Sequence, residues 1–115
     1  EIQADRYACA QRLAERFHAV VVLKGAGSIV VAPGQTPRLI AAGNPGMAVG
    51  GMGDLLTGII ASLRAQGLMA FDAAAAGALL HALAGDVAAA DGARGLLPTD
   101  LLVPLRRLAN PDLSP

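Results

Sequence analysis

The stretch AAGNPGMAVGGMGDLLTGIIASLRAQG, residues 41–67, decides how the rest of the chain is interpreted. Its first part, Gly43 to Gly53, is too rich in glycine to sustain regular structure, whereas Leu55 to Arg64 has the apolar pattern of a helix. Free N–H groups and the helix dipole favour negative charge where such a loop enters a helix. The stretch therefore predicts an anion hole, which we assign to Gly50, Gly51 and Gly53.

Two better-known phosphate motifs do not fit this loop. A Walker loop ends in Lys-Ser or Lys-Thr, whereas Met52-Gly53 follows Gly51 here. A dinucleotide fingerprint that began at Gly51 would need a small residue where Leu56 stands. The loop therefore belongs to another class of phosphate-binding motif.

Asp54 lies at the junction of the glycine loop and the helix. Its carboxylate would be within reach of whatever the loop binds, and phosphoryl transfer to a hydroxyl needs a general base in that place. We therefore choose Asp54 as the catalytic base, with Gly51 and Gly53 beside it. The alternative is that Asp54 is only the helix N-cap and accepts hydrogen bonds from the N–H groups of Leu56 or Thr57.

A second glycine motif, Lys24-Gly25-Ala26-Gly27-Ser28, follows the valine-rich run Ala19–Leu23. Such a run is typical of a strand buried on both faces of a parallel sheet, and open α/β sheets bind ligands at the carboxyl ends of strands. Lys24, Gly25, Ala26, Gly27 and Ser28 are therefore candidate nucleotide contacts. The alternative is an ordinary glycine turn with Lys24 in solvent.

The first half of the chain otherwise has the order of an α/β fold. Asp5 to Phe17 has the spacing of an amphipathic helix, on which charged residues such as Arg6 can face water. Two β-branched segments, Ser28–Ala32 and Arg38–Ala41, lie on either side of a Pro-Gly turn. They predict a hairpin at the edge of a sheet.

The second half predicts two further helices. Asp72 is the expected N-cap of a long alanine-rich helix that ends near Gly92. Three larger residues share one face of this helix: Leu80, Leu83 and Val87. Thr99 is the expected cap of a last helix, in which Pro104 implies a kink or a later start.

Composition limits the size and the partners of the chain. With 115 residues, of which 54% are hydrophobic, it can bury one core but is too short for two domains. Nine basic and nine acidic residues give a net charge of zero without a basic stripe, so we expect neither nucleic acid nor a membrane surface as a partner. His81 and Asp86 interrupt the alanine-rich run, which argues against a membrane span. The single cysteine, Cys9, excludes an internal disulfide and fits a cytoplasmic setting.

Charged residues make up only 16% of the chain, so much of the surface should be apolar or covered. Other subunits of a homo-oligomer could cover it, or a preceding stretch of the same polypeptide. The chain begins at Glu1 without a methionine, and we expect an internal fragment.

The other polar residues carry no predicted chemistry. His81 stands among apolar neighbours and is expected to be a hydrogen-bonded packing residue. No His, Cys or Glu cluster has the spacing of metal ligands, so no metal-binding residue is predicted.

Four segments together carry a resemblance to a known family: VVLKGAGSIV (21–30), the stretch 41–67, LHALAGDVAA (80–89) and RGLLPTDLL (94–102). Over nearly its whole length the chain resembles the ADP-dependent NAD(P)HX dehydratases of the ribokinase-like superfamily. The resemblance implies an α/β fold, a ribokinase-like three-layer α/β/α sandwich, of which residues 1–115 would be the C-terminal portion. It also implies repair of hydrated NADH or NADPH. ADP, or ATP in some lineages, phosphorylates the hydroxyl of the hydrate, and phosphate is then eliminated.

The matching motifs imply roles for individual residues. Lys24 to Ser28 and Gly53 would contact the adenine nucleotide, and Asp54 would contact the hydrated nicotinamide and act as the base. Two departures are small, since Ser28 stands where threonine is more usual, and GGMGD where GGTGD or AGTGD is also seen. The resemblance further implies Mg²⁺.

The larger departure is length, because the family's domain is more than twice as long as this chain. The earlier half, with its Thr-Pro-His-Pro-Gly motif and much of the dinucleotide pocket, is not in this sequence. In many bacteria the domain also follows an NAD(P)HX epimerase domain. We therefore expect the isolated chain to carry nucleotide loops and to be nearly inactive.

Two alternatives remain open at this point. A small-molecule kinase of the same superfamily would use the same anion hole and base, although the GNPGMA lead-in argues against it. A non-catalytic nucleotide-binding fragment would suit the short length and the low surface charge.

Overall fold

The structure is a computed structural model and describes residues 2–25 and 27–110. The helices are α1 (Ile2–Phe17), α2 (Met52–Ala65), α3 (Ala70–Ala88) and α4 (Leu102–Ala109). The strands are β1 (Val21–Leu23), β2 (Ser28–Val31) and β3 (Arg38–Ile40). Short 3-10 turns at Pro45–Met47 and Pro98–Leu101 precede α2 and α4. Every predicted helix and strand is present within a few residues of its expected bounds.

The sheet has the order β1-β2-β3, and β2 pairs antiparallel with both neighbours. Ile29 of β2 lies opposite Leu39 of β3, which confirms the predicted hairpin. Its turn is closed by the Gln35 N–H, which donates to the Ala32 carbonyl oxygen at 3.2 Å.

The prediction that β1 is a parallel strand buried on both faces is wrong for the described part of the chain. β1 runs antiparallel to β2, and its three residues are only half-buried. The short Lys24–Gly27 connection explains the direction, because a parallel return needs a crossover of roughly a dozen residues or more. A valine run marks a strand and carries no information on the direction of its neighbour.

β2 sends its side chains alternately into two helical layers, as the pleat of a strand requires. Ile29 and Val31 face α1 and pack against Ala10 and Ala14. Val30 faces the other side and packs in one cluster with residues of α2 and α3. The sheet therefore lies between two helical layers, which confirms the expected α/β/α arrangement over the portion that this chain covers.

α3 packs against the sheet, α2 and α4 through small residues. Gly77 lies so close to α2 that a Cβ added there would be 2.7 Å from Ile60 Cγ1. The face with the larger side chains is instead the outer one, where Leu83 and Val87 are exposed. By length and hydropathy α3 could cross a membrane, but 56% of it is buried inside the fold, as in a core helix.

The predicted limits of α3 are each off by a few residues. The helix begins at Ala70, so Asp72 is its third residue and not its N-cap. It ends at Ala88, and a turn covers the residues up to Asp91. A carboxylate anywhere in a first turn is favoured by the helix dipole, so the residue type alone does not fix the N-cap.

The start of the last helix also differs from the prediction. Thr99 lies inside the 3-10 turn, and Asp100 makes the capping contact, since its Oδ2 accepts from the Leu97 N–H at 2.8 Å. Pro104 then falls in the first turn of α4. The later helix start that Pro104 implied is therefore confirmed.

Candidate functional site

The glycine loop forms the N-terminus of α2. Gly51 precedes the first helical residue with φ 95°, a left-handed conformation that glycine adopts readily. Met52 is 1% exposed and anchors the turn by packing with Ala84 and Leu101. Among the described residues no side chain caps this N-terminus. The Met52 N–H donates to the Val49 carbonyl oxygen at 3.5 Å, so the N–H groups open to an anion are those of Gly53 and Asp54. The assignment of the anion hole to Gly50, Gly51 and Gly53 stays a prediction, with suitable backbone geometry at the last two.

Lys24 lies beside this helix N-terminus. A Cβ added to Gly53 would be 3.4 Å from Lys24 Nζ. The ammonium group and the positive end of the helix dipole therefore act on the same space, where both favour an anion. The structure thus brings together two glycine motifs that the sequence could only predict separately.

The turn after β1 is held from α1. Gly27 has φ 76°, and its carbonyl oxygen accepts from Arg6 Nη2 at 3.3 Å. A Cβ on Gly25 would be 2.7 Å from the same Nη2. We expected Arg6 to face water, and no signal in the sequence connects it with this turn. Ala26, a predicted nucleotide contact, lies outside the described residues.

A cavity of about 780 Å³ opens between this turn and the segment that leads to α2. Its volume is within the range of small-molecule sites. The segment from Ile40 to Val49 forms most of its wall, and Leu56 of α2 and Ala78 and Ala82 of α3 add apolar surface. Polar side chains also line it: Lys24, Ser28, Asn44 and His81. Gly25 and Gly27 contribute to the lining. The cavity can therefore hold a flat apolar group with a few polar contacts, next to the open N-terminus of α2.

Asp54 is the third residue of α2 and follows Gly53 directly. The interpretation as an N-cap is wrong, because Gly51 occupies that position. The Asp54 side chain is exposed at the edge of the glycine loop. An exposed carboxylate beside the predicted anion hole has the position that the predicted general base requires.

His81 of α3 lines the cavity and is only 5% exposed. Its Nε2 has no hydrogen-bond partner among the described residues. Burial and then the charge of Lys24 lower the pKa of His81, while a hydrogen bond with the Met52 backbone opposes this shift. The expected packing residue is therefore a neutral imidazole with one hydrogen-bonding nitrogen left over.

The described ranges contain no group of three His, Cys, Asp or Glu side chains that could hold a metal ion. A magnesium ion usually binds one or two carboxylates together with substrate phosphates. Asp54 is the carboxylate that the structure places at the glycine loop.

Comparison with known proteins identifies a family that matches nearly the whole chain. The family model described as NAD(P)H-hydrate dehydratase matches residues 1–107. The bifunctional NAD(P)H-hydrate repair enzyme Nnr of Escherichia coli (strain K12) is 51% identical over 99% of this chain, which spans 22% of that protein. The ADP-dependent (S)-NAD(P)H-hydrate dehydratase of Neisseria meningitidis serogroup B is 44% identical over 96% of this chain and 38% of its own length.

A solved structure agrees in fold. The ADP/ATP-dependent NAD(P)H-hydrate dehydratase from Bacillus subtilis, co-crystallised with ATP/Mg²⁺ and soaked with CoA, superposes with a TM-score of 0.85 at 29% identity. The match covers 94% of this chain and 40% of that one. A ribokinase-like superfamily protein from Enterococcus faecalis matches with a TM-score of 0.79. This chain therefore spans well under half the length of the relatives and structures that it matches.

Proposed function

The chain belongs to the NAD(P)H-hydrate dehydratase family, and from this premise we propose that it is the nucleotide-binding part of an enzyme that dehydrates hydrated NADH and NADPH. The reaction restores the reduced nicotinamide, and ADP is converted to AMP and phosphate. Residues 1–115 would be the C-terminal portion of one domain, whose remaining strands come from a preceding part of a longer protein.

One observation carries this proposal: Lys24 Nζ lies against Gly53 at an N-terminus that no described side chain caps. A lysine ammonium group and open backbone N–H groups that act on the same region stabilise the negative charge of a phosphoryl group in transfer. The adjoining cavity provides room for the rest of the nucleotide. The names of relatives that use ADP or ATP support the same nucleotide here.

The proposed chemistry assigns one task to each group. Lys24 to Ser28 and Gly53 bind the nucleotide, and the anion hole stabilises the charge on its terminal phosphoryl group. Asp54 takes the proton of the hydrate hydroxyl as the oxygen attacks phosphorus, and the bond to the AMP oxygen breaks. The phosphorylated hydrate then loses phosphate and a ring proton, which restores the double bond of the dihydropyridine.

Magnesium, assembly and location belong to the proposal as well. Since magnesium ions in enzymes of this kind are commonly bound through substrate phosphates, we place Mg²⁺ on the nucleotide phosphates. Fusion to an epimerase domain would fit relatives that are named bifunctional. The exposed apolar side chains of α1 and α3 favour a covered surface, either in a homo-oligomer or under a preceding segment. We place the protein in the cytoplasm, where these nucleotides are used.

The deciding assay measures regeneration of NADPH from its hydrate by absorbance, with ADP, with ATP and with neither. It should use the longer protein that we propose contains this chain. We expect regeneration that depends on ADP and releases one AMP and one phosphate per NADPH. Folded protein that binds ADP but regenerates no NADPH would contradict the proposal.

The kinase alternative keeps one observation in its favour, because the same loop and carboxylate suit stable phosphorylation of an alcohol. The two reactions differ in their products. A kinase releases a phosphorylated metabolite, whereas the dehydratase releases free phosphate. A non-catalytic fragment would bind adenine nucleotide and convert neither substrate.

A further inference from the structure

Two hydrogen bonds connect α3 with the loop that leads to the glycine motif, and a third lies within that loop. The Gly43 N–H donates to Asp86 Oδ2 at 3.0 Å, and Asn44 Nδ2 donates to Asp86 Oδ1 at 2.9 Å. Asn44 Oδ1 in turn accepts from the Gly46 N–H at 3.0 Å. Both oxygens of one carboxylate and both ends of one amide are therefore used to hold a single loop.

The loop from Gly43 to Met47 is also packed closely against α3 and the residues that follow it. A Cβ on Gly85, the residue before Asp86, would collide with the Met47 side chain. A Cβ on Gly46 would collide with the Ala93 carbonyl oxygen. Glycine at these two positions lets the loop lie directly on the end of α3, where Asp86 reaches it.

The loop is one wall of the cavity, and Asp86 stands behind it. Gly43, Asn44 and Met47 line the cavity together with Lys24 and Ser28. A loop that is already held in place does not have to be ordered when a ligand binds, which improves affinity. Hydrogen bonds that involve a charged acceptor are roughly twice as strong as neutral ones.

The chemistry of the contact requires a carboxylate at position 86. Its two partners, a backbone N–H and an amide NH₂, are both donors, so each oxygen must be an acceptor. An asparagine at this position would offer one acceptor and one donor. If Asn44 keeps its orientation, the NH₂ group of that asparagine would then face either the Gly43 N–H or the Asn44 NH₂ group, which are both donors.

From this arrangement we infer that Asp86 is a positioning residue for adenine nucleotide binding: through Gly43 and Asn44 it holds the 43–47 wall in its binding shape. The inference rests on the proposed function, because it takes the cavity as the nucleotide site. Asp86 contacts neither nucleotide nor substrate in this scheme and acts only through the loop.

The test exchanges the two side chains in the longer protein. Asp86→Asn and Asn44→Asp each break the donor-acceptor match, and we expect each to weaken ADP binding roughly tenfold, the effect of one lost hydrogen bond to a charged group. In the double variant, the amide placed on α3 would accept from the Gly43 N–H and donate to the carboxylate placed on the loop. That carboxylate would also accept from the Gly46 N–H. We expect ADP affinity to return to within about threefold of the unmodified protein.

The measurements are calorimetric ADP affinity, KM for ADP and kcat, with the unfolding midpoint as a check on folding. A positioning role raises KM and leaves kcat within about twofold. Asp91→Asn, which changes an exposed carboxylate just beyond α3, is the matched control and should leave all four quantities unchanged. If a single variant fails to fold, the folded double variant still tests the exchange, and Asn44→Ala gives a milder break.

Unchanged ADP affinity in the folded Asp86→Asn variant would overturn the inference and leave the proposed function standing. A double variant that binds ADP no better than either single variant would also overturn it. An unmodified longer protein that binds no ADP would instead contradict the proposed function, and this inference with it.

Discussion

At the scale of single residues, Asp54 and Asp72 share one local position. Each is the third residue of its helix, and each is exposed. Only Asp54 follows an N-terminus with left-handed Gly51 and with Lys24 at its side. Asp72 instead forms a 3.7 Å ion pair with Arg38 between side chains that are more than half exposed. The proposed catalytic role therefore depends on the surroundings of the carboxylate and not on its place in a helix.

Asp54→Asn should lower kcat for NADPH regeneration roughly 100-fold or more, because a positioned general base typically contributes at least that factor. Asp72→Asn is the matched control, since it removes the same charge from the same helical position. We expect its kcat within about twofold of the unmodified protein, because exposed ion pairs contribute little. Near-normal turnover by Asp54→Asn would remove Asp54 from the mechanism.

Gly53→Ala should have opposite effects on folding and on binding. Alanine is favoured over glycine inside a helix by about 0.5–1 kcal/mol, so the free energy of unfolding should rise. The new methyl group would lie 3.4 Å from Lys24 Nζ, in the space that we assign to phosphate, so ADP affinity should fall.

Gly58→Ala is the control for this change. It lies in the same helix, is exposed, and a Cβ there meets no other atom within 4 Å. We expect a similar gain in denaturant unfolding free energy with unchanged calorimetric ADP affinity. Equal ADP affinity in both variants would argue against a phosphate site at Gly53.

At the scale of elements, α3 organises the site. It supports the start of α2 through packing between Ala84 and Met52, and its His81 lines the cavity. Its small residues make this close packing possible, because the absence of a Cβ at Gly77 leaves room for α2 and at Gly85 leaves room for the Met47 side chain. The same helix therefore serves as core and as the back of the candidate site.

His81 should make stability depend on pH in one direction. Burial lowers the pKa of His81 in the folded state, so the unfolded chain binds a proton more readily. The contribution of neutral His81 to the free energy of unfolding is therefore fully present only above the unfolded pKa of about 6.5. This contribution is lost as the pH falls below about 6.5 towards the lowered pKa of the folded state. A variant that lacks the His81 imidazole should therefore lose less stability than the unmodified protein as the pH falls through this interval.

The measurement compares unfolding free energies of the longer protein and its His81→Asn variant from about pH 7.5 down to 5. Asparagine does not titrate, and its amide can replace a ring nitrogen in a hydrogen bond to the Met52 backbone. We expect the stability advantage of the unmodified protein to shrink as pH falls. The exposed His18→Asn variant provides the baseline, and a constant or growing advantage would contradict the expected shift.

At the scale of the whole molecule, the described residues leave apolar surface exposed and the outer edges of β1 and β3 without a pairing strand. β1 pairs with β2 along one edge only. A second cavity of about 620 Å³ is lined by Val20 and Val22 and also by Lys24 and Gly53 of the candidate site. On α1, Leu13 and Phe17 are 41% and 65% exposed. The low charge content predicted such surface, and an unpaired strand edge is itself a site of association.

Residues 1–115 produced alone should therefore self-associate and regenerate no NADPH from its hydrate. Light scattering and the absorbance assay measure the two properties. The longer protein, assayed in parallel, provides the reference for both. Full turnover by the isolated chain would show that no preceding segment is needed and would contradict the proposed domain boundary.

Several features of this protein follow from sequence alone, because they depend on neighbours along the chain. The glycine content of 43–53 predicted a loop, and the apolar period after it predicted α2. The Pro-Gly turn predicted the β2–β3 hairpin. Asp54 lies beside the glycine loop simply because it follows Gly53 in the sequence. Backbone freedom and hydrophobic period are properties of a few consecutive residues, so a sequence displays them directly.

Other features were decided only by the tertiary structure. The approach of Lys24 to Gly53 and the contact of Asp86 with Asn44 join residues that are distant in sequence, the latter pair 42 positions apart. Arg6 was expected in water and instead holds the Gly27 carbonyl group. These contacts arise because the sheet and two helical layers pack in one arrangement, and a side chain's partners are then set by the layer it faces. Local patterns specify the elements, whereas close packing between the elements selects the partners.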